Sequence, residues 1–356
     1  MNRTLDRNLG AAILLALAGA WGPAHADVVF NGTLYYTTFN GGQNVWSVDY
    51  SYNSTTPSFT LGSSTNVAST NGADGILFAP DGNLVVAGQG SEQLHEITTA
   101  GGAVTSVGAA TGSYHMALSS NASNAILYNL WNGSGGGGST AISATTLSGG
   151  GLSVNAVAYS VSCFVGIACN TDVRGLAYDP ANGIWYYGTA PDGLSGTFGT
   201  VAFDDTAHTA TLTQIEGGVY AHGLTYDPYT KTIIMSSALT VEQYDPNTSN
   251  FHSTNIGSDG NNLDQSAVDG QGHLFLAGNA GSLAFIDYAS TGLIDSATNY
   301  RNVTFLANYL DDIAPLSGTG SQCPPGEVCT VPEPATIALL GIGLAGLGFS
   351  RRRKLG

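Results

Sequence analysis

The sequence predicts an all-β fold, a six-bladed β-propeller closed by outer strands from the N-terminal end and an inner strand from the C-terminal end. Three observations carry this. Between its two ends the chain consists of short alternating apolar runs punctuated by Gly, Asn, Asp and Pro, and no segment has the apolar period of an amphipathic helix. One phrase recurs at the spacing of four-stranded blades. The chain also opens on outer-type strands with no inner strand before them and ends on an inner strand with no partner after it.

The phrase is clearest at Asp74-Gly75-Ile76-Leu77-Phe78-Ala79-Pro80-Asp81-Gly82-Asn83-Leu84, then at Arg174-Gly175-Leu176-Ala177-Tyr178-Asp179-Pro180 and His222-Gly223-Leu224-Thr225-Tyr226-Asp227-Pro228. Weaker copies begin at His115, Asp264 and Asp311. Successive starts are 41, 59, 48, 42 and 47 residues apart, and the longest interval holds the glycine-rich insertion Gly133 to Gly138. A full copy reads as an inner strand, a turn made by Asp-Pro, Asp-Gly or Asn, a second strand such as Leu84 to Ala87 or Trp185 to Gly188, and two more strands. Tyr244-Asp245-Pro246-Asn247 turns one third strand into its fourth. The runs Thr33 to Thr38, Asn44 to Tyr50 and Pro57 to Leu61 supply outer strands, and Asp311 to Leu316 supplies the inner strand of a closing blade, which leaves no open edge. The strong copies resemble NHL-repeat and gluconolactonase-like propellers, whose blades open on a Gly-Ile/Leu-x-x-Asp-x-x-Gly-Asn-Leu phrase. The resemblance implies the fold, and the copies at His115 and Asp311 depart from it.

The first residues carry Arg3 and Arg7, an apolar run from Leu9 to Trp21, and Ala24-His25-Ala26 before Asp27. This is a signal peptide over 1–26, cut between Ala26 and Asp27. A retained anchor is the alternative, but 13 apolar residues fall short of the roughly 20 that span a bilayer. At the other end Val331-Pro332-Glu333-Pro334 precedes an apolar stretch over 335–349 and then Arg351-Arg352-Arg353-Lys354. A membrane helix over 335–349 starts where proline is tolerated and ends on cations that suit its dipole. The basic cluster stays cytoplasmic, so everything before it faces out. Charge and hydrophobicity alone describe a plain tail anchor equally well. The order of motif, short glycine-rich helix and arginine cluster resembles the PEP-CTERM sorting signal. That resemblance implies recognition at Val331 to Pro334 by an exosortase-type membrane enzyme, a transient C-terminal anchor, then cleavage and delivery to the cell surface or exterior. The expected domains are the signal peptide 1–26, the propeller 27–316, a spacer 317–330 and the sorting signal 331–356.

Without the two ends, 23 acidic residues face only Arg174, Lys231 and Arg301, a net charge of −20. Phosphate binding needs clustered cations, so nucleic acid is excluded as a partner. Such a field suits divalent cations or cationic partners, or simply a solvated exported surface. Cys163 with Cys169 and Cys323 with Cys329 each enclose five residues. Local disulfides are the preferred one of three connectivities in an oxidising compartment.

The residue before each copy of the phrase ionises in every case: Asp74, His115, Arg174, His222, Asp264 and Asp311. In a propeller this position opens the innermost strand, at the mouth of the central channel. One reading is a hydrated mouth with mutual salt bridges around Arg174. The other is a site in which Asp74, Asp264 and Asp311 hold a hard cation such as calcium, with His115 or His222 as ligand or base. The gluconolactonase resemblance also implies a divalent metal in this region, although that family's Glu and Asn ligands have no counterpart here. No Gly-x-Ser-x-Gly elbow, His-Glu-x-x-His or phosphate loop is present, so no catalytic residue is assigned. The expected function is a noncatalytic surface or extracellular-matrix propeller that binds a glycan, a cation or another protein. The rival is a metal-dependent lactonase or lyase working at the channel mouth.

Overall fold

The computed structural model describes residues 29–316, except 40–42, 89–92, 102–103, 110–112, 121–123, 131–140, 150, 165–170, 191–194 and 257–261. The chain divides into two compact units, Met1–Thr319 and Gly320–Gly356. The signal peptide, the spacer with Cys323 and Cys329, the helix expected over 335–349, the glycine-rich insertion and Cys169 lie outside the described residues. Among the described residues all regular structure is β-strand, and no helix is long and apolar enough to cross a membrane.

The chain opens with β1 (Val29–Thr38), β2 (Val45–Asn53), β3 (Ser58–Leu61) and β4 (Thr65–Ala68). Two meanders follow: β5 (Ile76–Phe78), β6 (Leu84–Ala87), β7 (Gln93–Ile97), β8 (Val104–Gly108), and β9 (Met116–Leu118), β10 (Ile126–Leu130), β11 (Ala141–Ser148), β12 (Gly151–Cys163). The next two are β13 (Gly175–Asp179), β14 (Ile184–Gly188), β15 (Gly196–Asp204), β16 (Thr209–Val219), and β17 (Gly223–Asp227), β18 (Thr232–Ser237), β19 (Thr240–Asp245), β20 (Asn250–Asn255). Last come β21 (Leu263–Val268), β22 (His273–Gly278), β23 (Ser282–Asp287), β24 (Tyr300–Phe305) and a single strand, β25 (Leu310–Leu316).

Each meander is antiparallel, and β25 pairs with β1 to give a sheet ordered β25-β1-β2-β3, with β4 also on β2. The chain ends are thus joined through one sheet, as the unpartnered strands at the two ends of the sequence require. The first strands β5, β9, β13, β17, β21 and β25 lie beside one another in that cyclic order, with β25 returning to β5. One pairing has no precursor in the repeat: β12 runs parallel to β16, from Ser160↔Thr209 to Cys163↔Leu212, and fuses two meanders into one eight-stranded sheet. β12 is 13 residues long, so its far end outruns β11 and reaches the neighbouring meander's edge.

The sheets hold together through apolar clusters that bridge neighbours. β22 is buried at all six positions, because both of its faces are covered. Between that sheet and the closing one, Phe59 stacks on Phe285 with centroids 4.4 Å apart, beside Tyr50, Tyr52 and Phe275. The aspartates of the repeat build the turns. Asp179 accepts the amides of Ala181 and Asn182, Asp227 those of Tyr229 and Thr230, and Asp245 that of Asn247. These are side-chain mimics of a backbone turn, which is why the phrase keeps Asp where the first strand ends.

A buried acid and histidine cluster as candidate functional site

The ring positions fall at strand starts, as the repeat implies. Asp74 stands two residues before β5, His115, Arg174 and His222 one residue before β9, β13 and β17, and Asp264 and Asp311 at the second residue of β21 and β25. Their neighbours bring them together. The glycine after His222 has the start of the next sheet against it, so closely that a Cβ there would meet the Asp264 carbonyl oxygen. The glycine after Arg174 meets the His222 carbonyl in the same way, at 2.5 Å. The glycines at 75, 175 and 223 therefore let the backbone at His115, His222 and Asp264 press against the strand before it.

His115 Nε2 lies 3.7 Å from Asp74 Oδ1 and 3.5 Å from both Asp264 Oδ1 and Asp312 Oδ1. Its Nδ1 is 2.8 Å from the carbonyl oxygen of Arg174. A carbonyl only accepts, so Nδ1 carries the proton and donates it. His222 Nδ1 is 2.9 Å from Asp264 Oδ1, and its Nε2 is 2.8 Å from the Tyr114 hydroxyl. The Tyr114 ring stacks on His115, with centroids 4.0 Å apart. The Arg174 guanidinium pairs with Asp172 at 2.9 Å, and the Arg174 main-chain carbonyl is what meets His115.

Two features differ from expectation. The cluster is enclosed: Asp74, His115, His222, Asp264, Asp311 and Asp312 are each at most 4% exposed, where a hydrated channel mouth was expected. It also contains Asp312, which the repeat alignment does not single out. The register of β25 on β1 shifts between Tyr36↔Ile313 and Thr38↔Leu310, so Asp311 and Asp312 together face Thr37, whose hydroxyl accepts the Asp312 amide at 3.1 Å. A bulge of this kind re-aims a side chain, and here consecutive residues are both buried at the ring. β21 has a similar shift between Leu263 and Ser266, at Asp264 and Gln265.

The electrostatics follow from enclosing four carboxyls. Burial pushes Asp264 up, but the charge and hydrogen bond of His222, then His115 and a hydrogen bond from Asp311, outweigh it and hold this carboxyl at about 2. Burial, followed by the charges of Asp74, Asp264 and Asp312, drives Asp311 well above the usual carboxylate range. Burial and the Asp264 charge raise Asp312 in the same sense, against the opposing amide of Gly75. Neither oxygen of Asp312 has a hydrogen-bond partner of acceptable geometry. Histidine and carboxylate donors close enough to share an ion form two groups, Asp74 with His115 and Asp312, and His115 with His222 and Asp264. Asp311, expected as a ligand, belongs to neither.

Residues 330–354 match the PEP-CTERM protein-sorting motif. The signal implies an exported, exosortase-processed protein with a C-terminal membrane anchor before cleavage. No curated protein matches the chain. Among solved structures, the fold is similar to a chain of the nidogen/laminin complex at 14% identity, over 81% of this chain and 99% of that one, with a TM-score of 0.55. It also matches a catalytically inactive virginiamycin B lyase from Staphylococcus aureus, solved with quinupristin (9% identity, 79% and 89% covered, TM-score 0.46). A putative 6-phosphogluconolactonase from Bacteroides uniformis matches at 11% identity, with 78% and 84% covered and a TM-score of 0.48. The chain is thus an all-β protein of propeller-like fold that carries a PEP-CTERM sorting signal.

Proposed function

We propose that the mature protein is a six-bladed propeller, residues 27–316, displayed at the cell surface or in the extracellular matrix as a binding or structural protein. The observation that carries the reading is the order of parts along the chain. The ring-closing strand ends at Leu316 and the sorting motif begins at residue 330, so processing removes the tail from a domain that is already closed. The cyclic order of the inner strands supports the blade count, with the eight-stranded sheet counted as two blades. Residues 317–330 act as a spacer, and the Cys163–Cys169 and Cys323–Cys329 pairs form local disulfides outside the cytoplasm. A surface glycan or protein is the partner class, and the charge of −20 favours one with cationic groups.

The intact mass of the secreted protein tests this. It is expected to begin at Asp27, to end near Pro332 to Pro334, and to be four protons lighter than the reduced chain. Replacing Pro332, Glu333 and Pro334 with alanine keeps the tail on and leaves the protein in the membrane fraction. Release of an unprocessed chain from wild-type cells would overturn the reading. The enzyme alternative is separated by its own measurement. The ionisable ring is buried, so a panel of lactones and cyclic esters, with and without chelator, is expected to show no turnover, and chelator-sensitive hydrolysis would favour the lactonase or lyase instead.

A further inference from the structure

Four carboxyls enclosed with two histidines need either protons or a cation for charge balance, and the mature domain has only three Lys or Arg, of which Arg174 pairs with Asp172. The distances favour a cation. From His115 Nε2 to three separate carboxylate oxygens the separations are 3.5, 3.5 and 3.7 Å, beyond hydrogen-bond length. Donors bound about 2.0–2.1 Å from one tetrahedral metal stand about 3.3–3.4 Å apart. The orientation agrees. Nδ1 of His115 gives its proton to a backbone carbonyl and Nε2 is the ring nitrogen turned to the carboxylates, the arrangement found in metal-bound histidines.

Asp312 supplies an independent observation. It is fully buried, both carboxylate oxygens lack a hydrogen-bond partner, and Oδ1 points to the same His115 nitrogen. We propose that the converging inner strands hold one structural divalent transition-metal ion, bound by His115 Nε2, Asp74 Oδ1 and Asp312 Oδ1. His222, Tyr114 and Asp264 flank the ion: the Tyr114 hydroxyl is 2.8 Å from His222 Nε2, and His222 Nδ1 is 2.9 Å from Asp264 Oδ1. The imidazole donor and compact spacing suit zinc or manganese, in place of the calcium expected from carboxylates alone. The ligands come from the starts of β5, β9 and β25, so the ion ties the closing strand to two other sheets. The donors are buried among the described residues, and the ion acts as a clamp independent of what the surface binds.

Elemental analysis of the secreted protein, purified without metal-affinity steps, tests this directly. About one zinc or manganese per chain is expected. EDTA should lower Tm by about 10 °C or more, and added zinc or manganese should restore it. Cobalt substitution should give visible absorption, lost in His115→Gln. Asp312→Asn should lack the ion and have a Tm that EDTA does not change. Metal-free protein whose Tm is unmoved by EDTA, zinc and manganese would overturn the proposal, as would restoration by calcium alone. Both results come from the wild-type protein, so they stand even if a variant fails to fold. They are also separate from the processing test above.

Discussion

A chain ending at Tyr309 should not fold, whereas one ending at Thr330, before the sorting motif, should unfold cooperatively like the full domain. The difference is β25. It pairs with β1 from Thr33↔Leu316 to Thr38↔Leu310, and it places Leu310 and Ile313 in the cluster with Phe275, Leu283 and Phe285. Burying each of those two side chains is worth about 1.5–3 kcal/mol, and each ladder hydrogen bond about 1 kcal/mol. The total approaches the 5–15 kcal/mol stability of a typical domain. Truncation also leaves β1 as an open edge, an invitation to aggregation. Pro315 fits this placement, since β25 is an edge strand of its sheet and can dispense with one amide donor. Far-UV circular dichroism and urea unfolding of the two chains provide the measurement. Equal unfolding midpoints would show that closure is dispensable.

The closure was legible because strands are bounded by chemistry that sequence displays. Asp-Pro and Asp-Gly turns end the inner strands, and the expected second strand Leu84 to Ala87 is β6 itself. The Tyr244 to Asn247 turn likewise falls between β19 and β20. β4 and the parallel β12–β16 pairing were not legible, because they arise from strand length and the approach of neighbouring edges, and neither leaves a mark in the repeat. The site divides in the same way. The phrase fixes which residue opens each inner strand, so five of its six ionisable positions have side chains in the buried cluster. It does not fix register at a bulge. Asp312 is beside Asp311 and on an ideal strand would point the opposite way, so only the shifted pairing with Thr37 accounts for its burial beside His115. Two adjacent acids at a strand start were the available signal, and period-2 reasoning discards it.

Gly223→Ala should cost about 3 kcal/mol or more and lower metal occupancy in the same step. A Cβ at this position would overlap the Asp264 carbonyl oxygen and lie 2.6 Å from Gln265 Oε1 and 2.8 Å from Ser236 Oγ. Side chains can turn away from such a contact. The Asp264 main chain cannot, because it sits in β21 at the bulge between Leu263 and Ser266, beside the proposed ion site. Overpacking typically costs about 1–3 kcal/mol, and more when backbone must move. Gly62→Ala is the control: its nearest contact would be the Asp49 carbonyl oxygen at an ordinary 3.5 Å, so its urea midpoint should stay close to wild type. If Gly223→Ala loses stability yet keeps a full complement of metal, the glycine spaces the sheets without shaping the proposed ion site. If both fall together, the repeated glycine and the ionisable residue before it form one device, in which close approach of neighbouring sheets is what assembles the ion site.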